Sequence, residues 1–150
     1  MRMMLGAMAV LVFVLVAGCQ GPETTGAAGP ALSSLAGDWE LSSLEGAGVA
    51  SVQPEGAHRP SLSITPEGRL GGNAGINRVS GQLDASAIPQ GGFATGPLAT
   101  TKMAGSAEAM RFEQRYLDLL QRAKGFTLSG GTLRLLDAGR NELLTFVRGM

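Results

Sequence analysis

The rhythm of apolar and polar positions changes several times along the chain, and each change marks an element. Over 38–44, Trp39 and Leu41 fall on one side of an alternation, as expected of a strand with one face in a core. Residues 61–65, Ser-Leu-Ser-Ile-Thr, alternate cleanly, and the Pro-Glu-Gly that follows reads as a tight turn into Leu70, which predicts a hairpin. Residues 71–81 hold four glycines and two asparagines. Such a stretch reaches positive φ at several points and reads as a structured loop rather than a strand. Residues 82–85, 88–93 and 93–98 are further strand candidates.

At 106–124 the period becomes helical. Met110, Leu117 and Leu120 share a face that Phe112, Tyr116 and Leu119 widen, while Arg111, Gln114, Arg115, Asp118 and Arg122 lie mostly outside it. Ser106 is placed to cap the start, Glu108 lies in the positive first turn, and Lys124 with Gly125 suits the end. Three more apolar runs, 126–128, 132–136 and 143–147, are separated by Gly130-Gly131 and by 137–141, giving three strands joined by two hairpin turns. Strands, a helix and a meander make a mainly β, α+β order. About seven or eight short antiparallel strands leave exposed edges unless they curl, so a small antiparallel β-barrel or roll is expected, with the one amphipathic helix closing an opening.

The N-terminal segment follows a different logic. Arg2 precedes an uncharged apolar run from Leu5 to Val16, shorter than the roughly 20 residues of a membrane-spanning helix and suited to the core of a secretory signal. Val16-Ala17-Gly18-Cys19 closes the run and resembles the bacterial lipobox, in which the cysteine is acylated and the signal is cut off on its amino side. Residues 1–18 are therefore expected to be a lipoprotein signal and Cys19 the lipidation site, with two or three acyl chains anchoring the protein to the membrane. Gln20, in place of an Asp after the cysteine, implies sorting to the outer membrane, facing the periplasm, in a double-membrane bacterium. Residues 19–35, rich in Gly, Ala, Pro, Ser and Thr, read as a flexible tether, which leaves 36–150 as the folded domain.

Composition narrows the function classes. Lys plus Arg total 12 and Asp plus Glu total 12, so no net positive field gathers phosphates and nucleic acid is not an expected partner. Cleavage before Cys19 removes Arg2, leaving 11 positive against 12 negative charges, a formal charge of about −1. One Cys and one His leave no Cys/His metal site, and no cofactor is expected. The glycine-rich stretch at 71–75 lacks phosphate-loop or dinucleotide spacing and precedes no helix, which argues against nucleotide binding.

The motifs, taken in order, resemble those of the META domain, also called HslJ-like. Trp39 with Leu41 comes first, then 70–81 (Leu-Gly-Gly-Asn-Ala-Gly-Ile-Asn-Arg-Val-Ser-Gly), then Thr100-Thr101-Lys102-Met103-Ala104, then Met110 with Glu113, then 133–137 and 144–146. The resemblance covers nearly all of 36–150. It implies a small β-barrel-like domain with one helix, often exported or lipid-anchored, without established catalytic activity and associated with envelope or heat stress and drug tolerance. Many members of the family carry cysteines where Ile76 and Gly105 stand. The resemblance thus implies that apolar packing by Ile76 replaces a disulfide here.

Among candidate site residues Glu113 stands out, because it falls on the apolar stripe three after Met110 and four before Leu117. A carboxylate there must be paired or hydrogen-bonded. It is expected to brace the 75–78 loop by accepting from loop N–H groups, Asn77 or Arg78; a catalytic acid is the alternative. Asn73, Gly75, Asn77 and Arg78 form a structural loop or a binding loop for an anion or glycan. His58 reads as a surface-loop residue. No nucleophile, acid/base pair or metal cluster is recognisable, so a non-enzymatic envelope protein is expected, acting as a protein-interaction or stress-protective module with an envelope protein as partner. A lipocalin-like carrier of an apolar ligand and a peptidase inhibitor are the alternatives.

Overall fold

The computed structural model describes residues 30–150, so the signal, Cys19 and most of the tether lie outside the described residues. The strands are β1 (Gly37–Leu44), β2 (Ala47–Gly48), β3 (Ser61–Ile64), β4 (Arg69–Asn73), β5 (Arg78–Gln82), β6 (Ala99–Thr100), β7 (Gly125–Ser129), β8 (Thr132–Leu136) and β9 (Glu142–Arg148). The helices are α1 (Leu32–Leu35), α2 (Val49–Val52) and α3 (Ala107–Arg122). The strands form one antiparallel nine-stranded sheet in the order β6-β5-β4-β3-β1-β9-β8-β7, with β2 paired to β1.

The sheet is mainly β as expected, but it does not close into a barrel. Its end strands β6 and β7 are not paired to each other. Between them runs the 83–98 segment, which folds back on itself through an isolated bridge from Leu83 to Thr95, joins β7 through another from Gly92 to Gly125, and buries Ile88 and Phe93 in the core. Pro89 and Pro97 lack the N–H groups a continuous ladder needs, and β6 is only two residues long. For the same reason the strand candidate at 88–93 begins instead as a short 3-10 turn, Ile88–Gln90.

Residues 71–81, expected as a loop, are instead most of the β4–β5 hairpin, with Asn73 opposite Arg78 and Gly72 opposite Val79. Glycine serves close approach here, because a Cβ on Gly72 would lie 2.0 Å from the Ser61 carbonyl oxygen. The hairpins β3–β4, β7–β8 and β8–β9 form where the alternation places them. Gly130 and Gly131 both take positive φ in the β7–β8 turn. In the β8–β9 turn, the side chain and backbone N–H of Asn141 hold the Asp137 carboxyl below its usual range. β1 slips by one residue against β9 between Leu41 and Ser43, and this bulge brings Leu44 to the same buried side as Trp39 and Leu41.

Two further corrections concern the helices. Ser106 caps α3 by accepting from the Ala109 N–H at 3.1 Å, but the buried stripe runs through Ala109, Phe112, Glu113, Tyr116, Leu119 and Leu120. Met110 is 48% exposed, because the face is rotated toward Phe112. The described end of the presumed tether is also structured, since Leu35 in α1 is fully buried. Trp39 holds this turn by donating its indole N–H to the Leu35 carbonyl at 2.8 Å. Arg148 lies 4.5 Å over the Trp39 ring and donates to the Ala36 and Ser34 carbonyls.

The core joins the inner face of the sheet to α3, with Trp39, Tyr116, Phe93 and Phe146 its largest fully buried side chains. Tyr116 meets Phe146 edge to face at 6.4 Å, and its hydroxyl has no hydrogen-bond partner among the described residues. Tyr116→Phe is expected to raise unfolding stability by about 1 kcal/mol, read as a higher urea midpoint. Burial also pushes the phenol above its ordinary pKa of 10.0. Above about pH 10 the unfolded chain therefore binds fewer protons than the folded one, and stability falls as pH rises. Tyr116 is the only tyrosine. The substitution should remove this phenol's part of the alkaline slope, and an unchanged slope would show that the hydroxyl ionises freely in the fold.

Candidate functional site

The site grows out of the turn between β4 and β5. Asn73 accepts the Gly75 N–H on its Oδ1 at 2.7 Å, and the Ala74 N–H bonds the Asn77 carbonyl at 2.8 Å, so the turn closes within four residues. Gly75 sits at φ +132° against α3, where its Cβ position lies 3.5 Å from Phe112. Its carbonyl accepts the His58 N–H at 2.7 Å. This geometry turns the next two N–H groups toward the helix.

Both meet Glu113. Its Oε2 accepts the Ile76 N–H at 2.9 Å and the Asn77 N–H at 2.6 Å, while Oε1 accepts Asn77 Nδ2 at 2.8 Å. Glu113 is 8% exposed and Asn77 5%. Asn77 is committed in every direction, since Nδ2 also donates to the Met103 carbonyl at 3.1 Å and Oδ1 accepts from the Met103 N–H at 2.6 Å and the Thr101 hydroxyl at 2.9 Å. The Met103 N–H is a donor and Glu113 Oε1 an acceptor, which fixes the orientation of the amide. A clasp results that ties three separate stretches together: the β4–β5 turn, the strand exit at 101–103, and α3.

Arg78 takes a different role. Its backbone is pinned on both sides, the N–H donating to Thr101 Oγ1 at 3.0 Å and the carbonyl accepting the Thr101 N–H at 3.1 Å, while its side chain is exposed. It enters an open groove of about 710 Å³ on the outer face of β3 to β6, lined also by Ser61, Asn73, Ser80 and Thr100. The structure thus brings Asn73, Gly75, Asn77 and Glu113 into one hydrogen-bonded unit and sets Arg78 beside it. His58 is exposed and joins only through its backbone.

Thr101 and Met103 belong to the clasp, yet periodicity gives no sign of them. They contribute a hydroxyl and backbone groups from a stretch with no regular pattern. The Ile76 and Gly105 positions are also adjacent. A Cβ built on Gly105 would lie 2.4 Å from Ile76 Cδ1 and 3.1 Å from its Cγ1, so the Ile76 side chain occupies the space next to the bare glycine. Among the described residues, no group of three His, Cys, Asp or Glu side chains is placed to hold a metal ion.

A family model described as META domain matches residues 32–149. No curated protein matches the sequence. An NMR structure of a protein from Burkholderia xenovorans is 19% identical with a TM-score of 0.59, covering 100% of this chain and 99% of that one. Another NMR structure is 20% identical with a TM-score of 0.56, covering 75% and 88%. A crystal structure of a DUF4847 family protein from Bacteroides vulgatus is 13% identical with a TM-score of 0.51, covering 76% and 93%. At these identities the likeness is one of fold.

Glu113→Gln turns an amide donor toward groups that only donate, and is expected to destabilise the domain by about 2 kcal/mol in urea or thermal unfolding. Unchanged stability would remove the clasp from the account of the fold. Ile76→Cys combined with Gly105→Cys is expected to form a disulfide on oxidation, with the oxidised form about 2–4 kcal/mol more stable than the reduced one. Failure of the two thiols to pair in the folded protein would contradict the packing of Ile76 on Gly105.

Proposed function

The chain belongs to the META domain family, and on that footing we propose a non-catalytic, lipid-anchored envelope protein of the HslJ-like kind whose folded domain is an interaction module with a stress-protective role. The observation that carries this reading is the use made of the motif residues. Gly75 bonds Asn73, while Asn77 and Glu113 spend their polar groups on each other, on the Ile76 N–H and on the 101–103 stretch, as a brace does, and Arg78 turns its charge to a surface groove. A carboxylate whose two oxygens already accept from three donors is engaged on both sides, which suits scaffolding better than proton transfer.

The placement of α1, the first described element, supports presentation from a membrane. Leu32 packs toward Gly68 in the β3–β4 turn, whereas the clasp and groove lie at the other end of β4. Five residues of strand separate the two by about 17 Å. An acyl anchor on Cys19 would tether the domain through its α1 end, away from the groove, on the periplasmic side if that bilayer is an outer membrane. The carrier alternative has no comparable support, since the large side chains beneath the sheet, Trp39, Phe93, Tyr116 and Phe146, are all buried in one core.

Intact mass and fractionation of the native protein test this reading. Loss of residues 1–18 with diacylglycerol and acyl chains on Cys19, together with membrane recovery, is expected, and Cys19→Ser should move the protein to the soluble fraction. A wild-type protein recovered unacylated and free of membrane would overturn the anchor. Crosslinking in the envelope should then capture a partner on the folded domain.

A further inference from the structure

We propose that the groove on the outer face of β3 to β6 binds a carboxylate-bearing saccharide, with Arg78 holding the carboxylate. The proposal rests on the interaction-module reading and names the ligand class of that module. Strand register sets the geometry. Ser61 lies opposite Asn73, and Asn73 opposite Arg78, so the three side chains stand in one row across the sheet at the spacing of direct cross-strand neighbours. Gly72, Val79, Ser80, Ala99, Thr100 and Thr101 complete the lining.

The chemistry of the row is mostly donor chemistry. Arg78 is the only charged side chain lining the groove, and its guanidinium has no hydrogen bond or ion pair among the described residues, whereas Arg59, Arg115 and Arg134 each meet a glutamate. Asn73 uses its Oδ1 on the Gly75 N–H, which leaves its Nδ2 amino group unpartnered opposite Arg78. A planar fork beside an amide N–H matches a carboxylate, and no acidic side chain lines the groove to repel one. The hydroxyls of Ser61, Ser80 and Thr100 are uncommitted among the described residues and both donate and accept, as sugar hydroxyls and acetamido groups require.

Two features favour a saccharide over a peptide. The β6 edge offers only two residues for main-chain pairing, and the apolar side chains lining the groove are the small Ala99 and the buried Val79, which give a peptide side chain no deep anchor. The clasp supplies preorganisation, since Asn77 and Thr101 fix the Arg78 backbone before any ligand arrives. Polar recognition in an open groove sets the expected Kd at roughly 1 mM.

The test is an amide-resolved NMR titration of the full chain in detergent with N-acetylmuramic acid, N-acetylglucosamine, inorganic phosphate and a glutamate dipeptide as probes. Saturable shifts at Asn73, Arg78, Ser80 and Thr100 with the sugar acid are expected, at least about tenfold weaker for the neutral sugar and for Arg78→Gln. Arg78→Lys, which keeps the charge and loses the fork, should fall between. Absence of saturable shifts up to about 20 mM, unchanged binding by Arg78→Gln, or tighter binding of phosphate or of the dipeptide at the same amides would overturn the proposal. Binding does not depend on acylation, so a chain that binds the sugar acid but carries no lipid removes only the anchor, and a lipidated chain that does not bind removes only this site.

Discussion

Glu113 carries a negative charge into the apolar stripe of α3, and the domain accommodates it only where three donors meet the carboxylate. Two of those donors are consecutive backbone N–H groups, which no substitution other than proline removes. They point at the helix because Asn73 and Gly75 shape the turn, and Asn77 then extends the same network to the strand exit at 101–103. A buried polar group of this kind is stabilising when every member is satisfied and destabilising when one is not. The clasp therefore positions α3, the β4–β5 hairpin and the β6 end with respect to one another, and the groove inherits its shape from that agreement.

The opposite end of the domain is held by different physics. Trp39 is buried beneath the Arg148 side chain, and both bond carbonyls of the first turn, so aromatic burial, a cation over the ring and hydrogen bonds act on the same few residues. Gly37 leaves room for this arrangement, because a Cβ there would lie 2.6 Å from Arg148 Nη1. The chain thus enters the fold at a rigid point. With one end fixed by Trp39 and Arg148 and the other by Glu113 and Asn77, the polar groove lies on a surface whose backbone is anchored from both sides.

The sheet manages its edges without closing. β6 is very short, β7 meets the 91–93 stretch through Gly92, and prolines occupy the connecting segment. Short edges and proline discourage further strand pairing, which is the service that barrel closure would otherwise perform. A polar outer face made of Ser61, Ser63, Ser80 and Arg78 is left available to a ligand that does not need to add a strand.

Much of this was legible in the sequence where the signal was local. Alternation marked β1, β3 and the last three strands, the helical period marked α3, and an acidic residue on an apolar stripe announced that Glu113 needed donors. Glycine content misled at 71–81, because it reports backbone freedom and not whether that freedom is used for a loop or for close strand packing. Periodicity also placed Met110 in the core, although the rotation of a helix about its axis is set by what it packs against. The sequence by itself determined the kinds of element, their order and the presence of a charge requiring compensation, since these follow from neighbours within a few residues. Only the tertiary structure decided that the sheet stays open, that Asn77 and Met103 complete the clasp, and that Arg78 faces a groove. Those outcomes depend on groups up to 37 residues apart meeting at hydrogen-bond distance, and no local pattern encodes which face meets which.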